Sequence, residues 1–321
     1  MSDGSQAVVV DTYAEAFRSV FAEVLVSAAN LRWLNHAANA ATGNASSTIL
    51  CDCEAGVDRY GGPGTEHLPG YDPELRSPDG RPCAVLQFHV PAFKKNAAEL
   101  LERSLLVRMS QNVLTCPTAR CYGWTDSPEY FRLGRKISFF GDKHEYRDRR
   151  FDRDVWIIPI MSGEFVMDRR FPWRKGIMGG NLWFLAENEE AAVEAAERGM
   201  QGVDRSFGVI APFPGGVAAS ASKAGSQYKF LFASTYEKYC PSLREKLGDA
   251  SGVPQGVTSI TEIVINGPDL ETISRSMQAA IAESRMTPGL RFISAGNYNG
   301  RLGKNFIYLL PEAERGVAQN A

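Results

Sequence analysis

Ile260-Thr261-Glu262-Ile263-Val264-Ile265-Asn266-Gly267 is a branched, apolar run closed by turn-forming residues, and it reads as a strand. Beyond it Leu270, Ile273, Met277 and Ile281 recur at helical spacing, and Phe292 to Ala295 reads as another strand. The same order lies just before: a strand from Asn181 to Ala186, an alanine-rich helix from Glu189 to Met200, and a strand from Phe207 to Phe213. The second half of the chain is therefore read as βαββαβ.

The first half repeats that order. Thr12 and Glu15 have the spacing of a capping box ahead of Phe17, Val20, Phe21 and Val24, which predicts an opening helix. Val24 to Ala29 reads as a short strand. A helical stripe through Leu31, Leu34, Ala38 and Ala41 then stops at Gly43, a residue suited to the left-handed conformation after a helix. Thr48, Ile49 and Leu50 read as the next strand. After the Gly/Pro-rich stretch 61–82, a strand-helix-strand pattern runs from Val85 through Leu101, Leu105 and Met109 to Val113. A residue-level echo, Arg132-Leu133-Gly134-Arg135 against Arg301-Leu302-Gly303-Lys304, accompanies the repeated order. The predicted fold class is α+β, with two ferredoxin-like (split βαβ) lobes related by an internal repeat. The N-terminal lobe is expected over residues 1–157 and the C-terminal lobe over 158–321, joined near Asp154 to Ser162.

Composition narrows the function classes. The 321 residues carry 35 Lys and Arg against 37 Asp and Glu, and this balance disfavours a generic nucleic-acid or membrane-surface binder. No apolar run has the length of a bilayer span, and Met1-Ser2-Asp3-Gly4 lacks the basic start of a signal peptide, so a soluble, cytoplasmic protein is expected. Cys51, Cys53, Cys83, Cys116, Cys121 and Cys240 are scattered, as are His36, His67, His89 and His144, so neither a zinc site nor a disulfide framework is expected. Hydrolase and nucleotide motifs are absent; Gly296 to Asn305 contains Gly-Lys without P-loop spacing.

Two segments are rich in glycine, small residues and turn formers: Pro212 to Ser226, and Ser294-Ala295-Gly296-Asn297-Tyr298-Asn299-Gly300. Glycine allows backbone to approach a ligand closely, and Ser and Lys side chains bind polar groups, so these are candidate ligand-lining loops or, alternatively, surface connections. Glu262 shares a strand face with Ile260 and Val264. If that face is dry, desolvation raises its pKa and leaves a neutral acid able to donate to a developing oxyanion; otherwise it is an ordinary solvent-facing strand residue.

The chain resembles the formylmethanofuran:tetrahydromethanopterin formyltransferase family. The resemblance runs through Asp11-Thr12-Tyr13-Ala14-Glu15-Ala16-Phe17, Cys53-Glu54-Ala55-Gly56-Val57-Asp58, Ser138-Phe139-Phe140-Gly141-Asp142 and Gly163-Glu164-Phe165. It continues in Gly179-Gly180-Asn181, Pro212 to Ser226, Tyr239-Cys240-Pro241, Glu262 to Gly267 and Ser294 to Gly303. It implies reversible formyl transfer between a methanofuran-type (methylofuran) amine carrier and tetrahydromethanopterin in one-carbon metabolism, where formaldehyde is oxidised to formate. Both carriers act as cosubstrates, with no metal or prosthetic group. Glu262 matches the family's key carboxylate, and Pro214, Gly215, Gly216, Ser220, Ser222, Lys223, Ser226, Gly296 and Asn297 are the expected substrate-binding residues. The resemblance further implies a homo-oligomer, a dimer of dimers, and association with the subunits of a formyltransferase/hydrolase complex. A non-catalytic, carrier-binding or scaffold subunit of such a complex is the alternative. Basic stretches at 143–153 and 169–175 depart from the archaeal pattern and read as solvated faces or, alternatively, as contacts with an acidic carrier tail or a partner subunit.

Overall fold

After the two-residue strand β1 (Val8–Val9), the segment Tyr13–Ser27 forms one long strand, β2, in place of the expected opening helix. The physical reason lies in burial on both sides. Val20, Ala22, Val24 and Val26 enter one apolar cluster and Leu25 another, so both faces are apolar and the segment satisfies helical and strand spacing together.

The computed structural model describes residues 6–315. Following β2 come α1 (Leu31–Thr42), β3 (Glu54–Gly61), β4 (Cys83–Pro91), α2 (Ala97–Arg108) and β5 (Arg120–Gly123). Next are β6 (Tyr130–Phe131), α3 (Leu133–Ser138), β7 (Tyr146–Arg150), β8 (Arg153–Ile160), β9 (Gly163–Asp168) and β10 (Phe171–Pro172). The remainder comprises β11 (Arg174–Ala186), α4 (Glu189–Asp204), β12 (Val217–Ala218), β13 (Ser222–Ala224), β14 (Ala233–Thr235), α5 (Arg244–Leu247), β15 (Ser259–Gly267), α6 (Leu270–Ser284), β16 (Leu290–Ser294) and β17 (Asn305–Tyr308).

Contacts divide the chain into two units, one of Arg18–Gly176 and one of Met1–Phe17 with Ile177–Ala321. In the first, the antiparallel order is β5-β2-β4-β3, with α1 and α2 packed on one face. In the second, the antiparallel order is β16-β11-β15-β12, with α4 and α6 on one face. Each is the order of a split βαβ fold, so both lobes share one mixed α+β design. The second unit adds β1, parallel to β16, and β17, antiparallel to Tyr13–Ala16 of β2.

Several sequence expectations shift. At the expected junction, Asp154 to Ser162, β8 and β9 pair as a hairpin, and Val155, Ile157 and Val166 pack with Leu25, Val85 and Tyr122 inside the first unit. Division by contacts falls at 176/177, beyond the expected 157/158, and residues 6–17 belong with the C-terminal unit. Thr48 to Leu50 is a turn, the strand beginning at Glu54 instead. Gly43 ends α1 in an extended conformation (φ −61°), and the left-handed residue is Asn44 (φ 51°). Phe207 to Phe213 makes a single bridge, Ile210 with Asn266, because Pro212 and Pro214 cannot donate to a ladder and the edge position passes to β12.

Helix starts follow their local chemistry. Asn30 and Asn188 side-chain oxygens accept from the N–H of Trp33 and Ala191, and Asp269 accepts from Thr272.

Candidate active site

Glu262 lies in the middle of β15, directly opposite Trp183 of β11 on one side and Ala218 of β12 on the other. Its neighbours Ile263 and Ile265 face the helices. Glu262 points to the other face, where Trp183, Leu185, Val253 and Val257 form a small apolar cluster flanked by Ala221, Tyr236, Tyr239 and Ile260. Much of that cover comes from the long excursion between β12 and β15. With its residue only 6% exposed, the carboxyl is pushed up to about 7 by burial, while the bond from Trp183 acts in the opposite direction. That bond runs from Trp183 Nε1 to Glu262 Oε1 at 2.8 Å.

Aromatic rings enclose this acid. Trp183 meets Tyr239 edge-on at 4.6 Å and Tyr236 at 6.0 Å, and Tyr236 stacks on Tyr298 at 5.5 Å. The Tyr298 hydroxyl donates to the Ser222 carbonyl, tying the loop after β16 to the β13–β14 hairpin. Burial pushes the Tyr298 hydroxyl up, and the charge of Glu262 adds to that shift.

The loop after β16 is itself held from beneath. Asn181 Oδ1 accepts from the Gly296 N–H at 2.6 Å. Further along, the fully buried Glu15 carboxylate accepts four backbone N–H bonds: Tyr298 (2.6 Å) and Gly300 (2.7 Å) to Oε1, Leu302 (2.9 Å) and Gly303 (3.3 Å) to Oε2. Burial alone pushes that carboxyl up; the four donors outweigh it and hold it below the usual range. Gly303 is required here, since a Cβ would collide with the Ala16 carbonyl.

Of the residues expected from sequence, Gly296 packs against Asn181 and Trp183, and Ser222 meets Tyr298 through its carbonyl. Asn297 Nδ2 lies 3.4 Å from Thr12 Oγ1. Other expected residues have local partners. Lys223 is paired with Glu237 at 2.5 Å, Ser220 with Thr235 at 2.6 Å, and Ser226 accepts from the Tyr228 N–H at 3.1 Å. Pro214, Gly215 and Gly216 form a short turn just before β12, with Gly215 and Gly216 left-handed (φ 63° and 79°). Sequence reading did not assign Trp183, Tyr236, Tyr239 or Glu15 to the site, though Glu15 and Tyr239 lie in motifs that carry the resemblance. Trp183 had a signal: on paired strands a donor-bearing aromatic opposite a carboxyl is a cross-strand partner, but register is needed to see it.

Elsewhere, His89 is fully buried and pushed down to about 3 by desolvation, bonded to Ser19 and Gln87. Cys53 is buried and pushed up to about 12. Among the described residues no three His, Cys, Asp or Glu side chains gather so as to hold a metal ion, and no helix is long and apolar enough to cross a membrane. In the basic stretches Arg150 pairs with Asp148 and Glu164, Arg153 with the buried Asp168, and Arg169 with Asp154. Arg170 and Arg174 lie over the rings of Tyr130 and Phe21. A cavity of about 550 Å³ in the first unit is lined by residues from Gly123 to Asp126, Asp152 to Asp154 and Asp168 to Arg170.

The chain matches two family models: formylmethanofuran-tetrahydromethanopterin formyltransferase over residues 4–160, and the proximal lobe of that enzyme over residues 163–311. It is 42% identical to the formylmethanofuran-tetrahydromethanopterin formyltransferase of Methanosarcina acetivorans over 296 residues, 92% of this chain and 94% of that one. With the enzyme of Methanocaldococcus jannaschii it shares 40% over 299 residues, 92% and 94% of the two chains. Among solved structures, the formyltransferase of Methanosarcina barkeri superposes with a TM-score of 0.86 at 39% identity, over 96% of this chain and 99% of that chain. A chain of the formyltransferase/hydrolase complex of Methylorubrum extorquens, solved with methylofuran, superposes at 0.83 and 32% identity, over 95% and 98%. Two repeated α+β lobes matched along their length by a transferase family define a one-carbon transferase. The chain belongs to the formylmethanofuran:tetrahydromethanopterin formyltransferase family, and it transfers a formyl group between a methanofuran-type carrier and tetrahydromethanopterin, which are its substrates.

Proposed function

We propose that Glu262, in its neutral form, stabilises the tetrahedral oxyanion of this transfer. The single observation that carries the reading is a carboxyl buried in an aromatic enclosure, pushed up to about 7, with one oxygen already committed to Trp183. A pterin ring nitrogen attacks the formyl carbon, whose carbonyl oxygen becomes the oxyanion and accepts a hydrogen bond from the acid. Collapse expels the carrier amine, and the proton lost by the pterin nitrogen ends on that amine. Holding two large carriers in attack geometry supplies a further part of the rate.

Gly296, which packs against Trp183, Ser222, whose carbonyl accepts from Tyr298, and Asn297, next to Tyr298 in the chain, are carrier-binding residues in this proposal. Pro214, Gly215, Gly216, Ser220, Lys223 and Ser226 complete the proposed lining. The furan carrier is of the methylofuran type in this reading, and the chain works in the cytoplasm as a homo-oligomer associated with hydrolase subunits; the likeness to a chain of the Methylorubrum extorquens complex supports it.

The test is a transfer assay with purified chain, formylated furan carrier and tetrahydropterin in the presence of a chelator. Wild type forms formyl-pterin, and Glu262→Ala, folded by circular dichroism, loses at least about 100-fold in kcat, the usual effect of removing one oxyanion donor. Retained turnover in that variant removes Glu262 from the mechanism. Carrier binding without transfer in the wild type instead favours a scaffold subunit.

A further inference from the structure

We infer that Glu15 is a positioning residue of this site: by gathering the N–H groups of Tyr298, Gly300, Leu302 and Gly303, its carboxylate sets the loop that carries Tyr298 into the aromatic enclosure of Glu262. The inference rests on Glu262 being the acid of the reaction.

Three features carry it. First, the bonds use both carboxylate oxygens, two donors on each, an arrangement that only an ionised carboxylate offers among side chains of this length. Glutamine would place its NH₂ group against two N–H donors. Second, Asn299 and Gly300 are consecutive left-handed residues (φ 57° and 71°), which turns neighbouring amides toward one point and makes the concavity that binds anions. Here the anion is supplied by the chain itself, from β2, where β17 fixes Glu15 opposite Phe306. Third, the loop gathered in this way contains the tyrosine that stacks on Tyr236 and donates to the Ser222 carbonyl. Without the carboxylate these amides lose their common acceptor, the loop reshapes, and water reaches Glu262.

The titratable side chains that face the loop and the acid are Glu15, Glu262, Tyr236, Tyr239 and Tyr298, together with Lys304, whose ammonium donates to the Gly300 carbonyl at 2.7 Å. Glu262 is thus the carboxyl whose titration reports on the dryness of the enclosure.

Hydrogen exchange on the unmodified protein tests the anchor directly. The amides of Tyr298, Gly300, Leu302 and Gly303 should be protected at neutral pH and lose protection on acidification below the ordinary carboxylate range; exchange as fast as an open loop at neutral pH overturns the inference. Glu15→Gln then tests the link to chemistry. With its far-ultraviolet circular dichroism unchanged, it should lose about tenfold or more in kcat, a misplacement effect, with smaller changes in KM. Its high-pH activity midpoint should move down from about 7 toward 4.5 as Glu262 is wetted. A folded Glu15→Gln with wild-type kcat and midpoint overturns the proposal. Turnover retained by Glu262→Ala strikes at the catalytic reading instead, and leaves the exchange result to stand by itself.

Discussion

Trp183 is a donor only, so Glu262 Oε1 must accept its N–H and, in the neutral acid, the proton resides on Oε2. The bond favours the charged form, so Trp183→Phe should move the activity midpoint upward, opposite in sign to Glu15→Gln; a pH-rate profile reads both. In wild type, transfer should fall about tenfold per pH unit above about 7, as the neutral acid is lost. The same shift bears on stability. The folded pKa of Glu262 lies above its unfolded value of 4.5, so its contribution is full below pH 4.5 and lost as pH rises through about 7. A shift of that size corresponds to roughly 3 kcal/mol. Urea titrations across that window should show the loss in wild type and a flatter dependence in Glu262→Gln; parallel curves would mean that the carboxyl is hydrated. For Glu262 the sequence left a dry and a solvent-facing strand position both open, and only the packing shows that it is buried. Glu15 was not legible as a site residue, since its partners lie at Tyr298 to Gly303, at the far end of the chain.

Helices α1, α4 and α6 begin close to the starts read from apolar spacing, each capped locally by Asn30, Asn188 or Asp269, whereas the Thr12/Glu15 capping-box spacing starts no helix. Strand β2 escaped because a strand buried on both faces loses the polar alternation that identifies it. Helix packing in the C-terminal unit depends on a missing side chain. A Cβ at Gly202 of α4 would lie 2.5–2.7 Å from the backbone of Ala279 and Ala280 in α6. Intrinsic propensity favours alanine over glycine by about 1 kcal/mol. Overpacking against backbone costs typically 1–3 kcal/mol. Gly202→Ala should therefore destabilise, lowering the urea midpoint with unchanged slope; a raised midpoint would show that α4 and α6 can separate freely.

Two lobes with one strand order, β5-β2-β4-β3 and β16-β11-β15-β12, realise the repeat read from the alternation of strands and helices. The family models meet between residues 160 and 163, close to the expected boundary at 157/158, while packing divides the chain at 176/177. A fragment ending at residue 157 cuts β8 and removes its partner β9, whereas 18–176 retains the order β5-β2-β4-β3 together with β7, β8 and β9. The second fragment should unfold cooperatively in urea, and the first should show no cooperative transition; a cooperative 1–157 would return the boundary to the sequence estimate. By itself the sequence determined the α+β class, the doubling and the family, because periodicity and ordered motifs are written along the chain. Only the tertiary structure decided that β2 is a strand, that its first residues serve the C-terminal unit, and that Trp183, Tyr236, Tyr298 and Glu15 converge around one site. Those are outcomes of register and long-range packing, which depend on residues far apart in the chain meeting in space, and no local pattern encodes that meeting.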